Sequence, residues 1–404
     1  MTRIADGLRG WAYERPRIAV LVPGQQCLLG WEIERAAATR GWSGAISPAT
    51  TDVLVVVGDA DTLGPVLRSA ADLWWRHVGA PRVRVEIGPG TDIASGLDFA
   101  LDALRDWSAQ ASEAATRAAE AQGNLAEVST SGSGEEVVGP ADHGGAHDGH
   151  EMAEDDGHDM PGHDNHEMAG HEHHVEDVAG LPMAGTGEDR DGLTLDVLTV
   201  RLGPFLHGWP TGLVIRTELS GDVISGAAVE WRAAPGEPVP QRAAVAQALG
   251  AVLDLAGWTA AARAVTAIRD AAVAGRAPTQ ADRRWLTRVA RSRSLRWALS
   301  GIGPCEGSDA ADRVIGWARL LLKLPADQNG SGTTVVRMDL PSSDVLVAAV
   351  TGTELARARL AVASLLVVDP VPDTIHDHVR GHQYEHDDEA HERAASDERP
   401  GGAR

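Results

Sequence analysis

The residues best equipped for chemistry lie between Ala141 and Val175. Three eight-residue units, GHEMAEDD, GHDMPGHD and NHEMAGHE, follow one another from Gly149. His150, His158 and His166 hold the same place in each unit, as do Met152, Met160 and Met168. His163 and His171 add a second imidazole to the last two units, and His143, His147, His173 and His174 flank the repeat. Imidazole suits zinc, nickel and copper(II), and thioether suits copper(I). The Asp and Glu between them supply oxygen ligands and raise the local cation concentration. A divalent metal (nickel, zinc or copper) is expected to bind here with moderate affinity and little geometric selectivity, because a flexible chain must lose entropy to gather its ligands. The competing reading is a solvated low-complexity linker whose histidines meet metal only incidentally.

No element in this stretch could position those ligands. From Ala141 to Val175 there is no Lys, Arg or aromatic residue. Such a composition buries too little apolar area to offset its ordering entropy. Residues 122–180 are therefore expected to be a disordered acidic linker. The polar tail 373–404, with His376, His378, His382, His386 and His391, is expected to be disordered as well.

Two ordered regions flank the linker. In residues 1–121, RIAVLV (17–22), DVLVVV (52–57) and RVRVEI (82–87) are predicted strands. Predicted helices cover roughly 28–39, 62–78 and 92–107, and an Ala-rich helix covers 108–121. Alternating strand and helix implies an α/β domain: a small parallel, flavodoxin-like sheet with right-handed crossovers. Its strands end at Gly24, Gly58 and Gly88, at the edge where such sheets bind ligands. Glycine is also the ordinary turn residue there. Residues 181–372 read as an α+β, mostly helical domain. LTLDVLTVRL (193–202), GLVIRTEL and DVISGAAVEW are predicted strands, the last two a hairpin turning at Ser220–Gly221. Helices are expected from about 240 to 323, TTVVRMDL (333–340) as a further strand, and DVLVAAVTGTELARARLAVASLLVV as helical packing. Trp258, Trp285, Trp297 and Trp317 are expected as core or interface anchors.

Composition removes several function classes. The net charge of −22 argues against nucleic acid and against docking on anionic lipid through basic patches. Two cysteines, Cys27 and Cys305, with no CxxC, exclude a disulfide framework and argue against a cysteine-built metal site. Neither GxGxxG nor GxxxxGK[ST] occurs, so no phosphate-cradling loop of those types is supported. No nucleophile–base spacing is readable. The start MTRIADGLRGW lacks the apolar stretch of a signal peptide, and the apolar runs are shorter than a membrane span. A cytoplasmic location without direct membrane insertion is expected, or a peripheral one on the inner face of the membrane through partners.

Cys27 to Glu34, CLLGWEIE, directly follows the first strand. This stretch and SPATTDVLVVVGDADTLGPVLRSAADL resemble the small, iron–sulfur subunit (20 kDa type) of respiratory complex I and membrane-bound [NiFe]-hydrogenases. Gly30, Glu32, Ile33 and Glu34 fit the family pattern S-C-x-G-C-[DE]-x-E, whose two cysteines fall on Leu28 and Trp31. The resemblance implies that Cys27, Leu28, Trp31 and Glu34 form a degenerate cluster loop, and no iron–sulfur cofactor is expected. LTVRLGPFLHGWPTGLVIRTELSGDVI is similar to the start of the large (49 kDa type) subunit of the same complexes, with Gly203, Pro204, His207, Gly212, Gly221 and Asp222 fitting. The absence of paired CxxC motifs excludes nickel–iron chemistry.

The resemblance implies a fused, degenerate pair of subunits that has kept its mutual contact and its docking on membrane subunits of a complex I-like, antiporter-like assembly. Such a chain would be structural or regulatory, with no catalysis of its own. The alternative is a nickel, copper or zinc buffer or donor acting through the histidine repeat.

Overall fold

A computed structural model describes residues 13–58, 60–131, 185–188, 193–234, 236–324 and 334–370. The histidine–methionine repeat and the polar tail lie outside the described residues.

The first region is a parallel sheet with helices on both faces. Its elements are β1 (Arg17–Leu21), α1 (Cys27–Thr39), β2 (Ser43–Gly44), β3 (Val53–Val57), α2 (Ala60–His77), β4 (Val83–Ile87), α3 (Ile93–Arg105) and α4 (Trp107–Ser131). The strand order is β2-β1-β3-β4, all parallel. The continuous run VLVVV is buried at every position because β3 is central and covered on both sides. Its side chains alternate between two cores: Val53, Val55 and Val57 meet Ile33, Leu97 and Leu104 of α1 and α3, whereas Leu54 and Val56 meet Leu63 and Leu67 of α2. The helix expected over 62–78 is interrupted at Gly64, where φ is +65° and Pro65 restarts the turn. The helix expected to end at 121 continues to Ser131, in keeping with good helix formers such as Leu125, Ala126 and Glu127.

The second region begins with an antiparallel sheet ordered β5-β6-β7-β8, from Thr186–Glu188, Thr194–Leu202, Leu213–Ser220 and Val223–Arg232. The hairpin turns at Gly221–Asp222, one residue later than expected, because Ser220 still pairs with Val223. Gly221, with φ +64°, takes the first central position of this two-residue loop, where glycine is preferred. β9 (Val239–Pro240) leads into five helices: α5 (Gln241–Leu255), α6 (Thr259–Val273), α7 (Gln280–Ala290), α8 (Arg293–Leu299) and α9 (Ala310–Lys323). β10 (Val335–Asp339), α10 (Ser343–Val350), α11 (Leu355–Ser364) and β11 (Val367–Pro370) follow. α5 is buried over most of its surface and occupies the centre, against α6, α9 and α11, with Gln247 and Asp254 on its partly open side.

The expected helical packing at the end needs correction. It breaks at Thr351–Gly352, and its last valines form β11, antiparallel to β10 in a three-stranded sheet ordered β11-β10-β9. Paired β-branched residues before a proline favour the strand. Trp258, Trp285 and Trp317 pack against the core, but Trp297 is 84 % exposed and belongs to no core. Among the described residues, no helix is long and apolar enough to cross a membrane.

Candidate functional site

The loop after β1 leads into α1 across a single 3-10 turn, Gly24–Gln26. Helix α1 lies close against the end of β1, and a Cβ at Gly30 would collide with the Val22 side chain. This places Cys27 and Leu28 in the first turn of α1, with Trp31 and Glu34 one and two turns on. The four singled-out residues therefore lie near one another, and all but Glu34 pack into the second region. Trp31, 6 % exposed, joins Val239, Ala243, Ala244 and Val336 in one apolar cluster, with Cys27, Leu28, Ala272 and Met338 at its border.

Two acid–base features flank that cluster. At the start of α1, the Leu28 N–H donates to Glu237 Oε1 at 2.8 Å, while the Glu237 N–H donates to the Gly24 carbonyl at 3.2 Å. A carboxylate thus satisfies an orphan amide of the helix start and complements its dipole. The chains approach closely enough that a Cβ on Gly236 would lie 2.9 Å from the Gly24 oxygen. Burial, then the charge and hydrogen bond of Glu237, push the Cys27 thiol up to about 12. Cys27 is therefore a protonated thiol at neutral pH, the opposite of a reactive or metal-ligating one.

Further along, Arg269 of α6 is 2 % exposed. Its Nη1 donates to Glu34 Oε2 and to Gln247 Oε1, each at 2.8 Å, and its Nε donates to Asp270 Oδ1 at 2.9 Å. Nη2 lies 2.8 Å from the same Asp270 oxygen but lacks the alignment of a hydrogen bond. The guanidinium carbon stands 5.1 Å above the Trp31 ring. Burial alone would lower the Arg269 pKa, but Glu34 and Asp270 outweigh it and hold the group above its ordinary value.

The residues of this loop do not fit an iron–sulfur cluster. Leu28 and Trp31 present no donor atom, and a cluster is held by several thiolates. Glu237 and the apolar side chains around Trp31 also fill the ground in front of the loop. No family model, curated protein or solved structure matches the chain.

His207, singled out in the loop between β6 and β7, places Nε2 2.8 Å from Asp254 Oδ2, and its carbonyl accepts from Arg359 Nη2 at 3.2 Å. Both contacts tie the loop to the helices α5 and α11. The repeat ligands, from His143 to His174, lie outside the described residues. Among the described residues no three His, Cys, Asp or Glu side chains converge as a metal site. Sequence reasoning missed Glu237, Gln247 and Arg269. Arg269 had a signal, since it falls in the apolar stripe of α6 with Ala262, Val265 and Ile268. Glu237 had none.

Proposed function

We propose that this chain is a non-catalytic structural or regulatory subunit of a complex I-like membrane assembly, a fusion of degenerate small and large subunits. The carrying observation is the junction at α1. A stretch resembling a cluster loop has Leu28 and Trp31 where ligands would stand, and the second region covers it through Glu237 and Arg269. The strand order β2-β1-β3-β4 agrees with a flavodoxin-like sheet, the fold implied for the small subunit. Partner subunits of the membrane arm would then hold the chain on the inner face, and the acidic linker would tether the two regions.

Affinity purification from mildly solubilised native membranes tests this. Polytopic subunits should co-purify, and anaerobic cluster reconstitution should give no broad band near roughly 400 nm. A chain recovered alone, or one with stoichiometric iron and sulfide, overturns the proposal. The histidine–methionine repeat favours one second reading, a buffer or donor of nickel, zinc or copper. Deleting residues 141–175 separates the two: the biological role survives deletion under the subunit reading and is lost under the metal reading.

A further inference from the structure

The stretch from Arg276 to Arg296 carries seven arginines and one aspartate, in a chain whose net charge is −22. Arg284, Arg288 and Arg291 fall at i, i+4 and i+7, on one face of α7 and its C-terminal cap. They line a concavity of about 600 Å³ together with Thr287, Ser292, Ser294 and Trp258. It is shallow and open to solvent, a shape that suits an anion held at the surface rather than an enclosed ligand. No carboxylate lines it. Among the described residues none of the three guanidiniums forms an ion pair, although Arg296 just beyond pairs with Asp312. Arg288 is held in place by an aromatic support: its guanidinium carbon lies 5.2 Å over the Trp285 ring, and Trp285 meets Trp258 edge-on with centroids 6.5 Å apart.

We infer that this concavity, independent of the junction at α1, binds a phosphate-class oxyanion through Arg284, Arg288 and Arg291. Guanidinium forks match phosphoryl oxygens two at a time, and hydroxyls donate to the oxygens that remain. Three unpaired cations favour a multiply charged anion over a single carboxylate. Trp258 offers an apolar wall for whatever carries the phosphate.

The test uses the full chain with a chelator present, so that metal held elsewhere does not carry the anion. Titration calorimetry is run with pyrophosphate, with adenosine triphosphate and with phosphatidylglycerol vesicles. Saturable binding of pyrophosphate or the nucleotide is expected, weakening as salt rises from 50 to 500 mM by roughly the counterion-release trend seen for phosphate contacts. Binding to vesicles alone supports the same site with a lipid headgroup as the source. The double variant Arg284→Gln/Arg291→Gln should weaken binding by about tenfold or more. Arg283→Gln, on the same helix but outside the concavity, should leave it unchanged. Equal losses in the two variants, binding of an oligoglutamate peptide as tight as that of phosphate, or no heat with any phosphate probe each overturn the inference.

Discussion

Cys27 and Arg269 show how much a single residue depends on partners far along the chain. Glu237 and Arg269 meet α1 across 209 and 235 residues, and that separation is why neither contact was legible from sequence, although the place of Arg269 in an apolar stripe marked the residue itself. Trp31 and Glu34 were singled out as positions, but their burial and pairing were not legible. The predictions at this scale concern Cys27 and Arg269. Because the folded Cys27 thiol keeps its proton to about 12 against an ordinary 9.0, its contribution to stability is full below pH 9 and is lost as pH rises towards 12. Urea unfolding from pH 8.5 to 10.5 (roughly the lower half of that window) should show stability falling by up to about 1.4 kcal/mol per unit, and Cys27→Ser should flatten that slope. Glu237→Gln removes a neighbouring negative charge, so Cys27 should react faster with iodoacetamide; an unchanged rate contradicts the assigned contact. For Arg269→Met, which leaves Asp270 and Glu34 without their cation, a loss of about 3 kcal/mol is expected in the same unfolding assay. Glu34→Gln, at a partly exposed partner, should cost no more than about 1 kcal/mol.

At the scale of elements, hydrophobic pattern carried most of the information. The continuous run Val53–Val57 marked a central strand, and the structure buries it on both faces. The two-residue β2 escaped because Ser43–Gly44 has no apolar pattern and pairs only along the edge of β1. β11 escaped because its valines follow a helix without any turn residue between, so only the pairing with β10 decides their conformation. The β6–β7 connection gives a prediction at this scale. Gly203 has φ +106°, and a Cβ there would run into the Leu213 carbonyl of β7. Gly203→Ala should therefore cost at least about 2 kcal/mol, from combined strain and collision, whereas Gly44→Ala, in open space on the edge strand, should fall within about 0.5 kcal/mol of wild type. Thermal unfolding of the two variants checks this.

For the whole molecule, apolar periodicity anticipated a small parallel sheet with helices followed by a mostly helical region, but the surface through which they meet was invisible to any local pattern. The metal binding proposed for the repeat is open to the simplest measurement at this scale. The full chain should bind more than one nickel, zinc or copper ion at neutral pH and lose most of that binding at pH about 5, because protons compete for imidazole near its reference pKa of about 6.5. A variant lacking residues 141–175 should lose it at every pH. Calorimetric titration of both proteins decides the matter, and equal binding by the deletion variant would remove the repeat from consideration.

The covering of Trp31 has a consequence for synthesis. The first region can complete its sheet as soon as α3 has emerged, but Glu237, Val239 and Val336 leave the ribosome much later. At typical elongation rates of about 5–20 residues per second, the 209 residues between Leu28 and Glu237 take roughly 10–40 s. During that interval the nascent chain presents an uncovered tryptophan and an uncapped helix start. The half-made protein should therefore be more prone to association than the finished one, and a stall between the two regions should prolong that exposure.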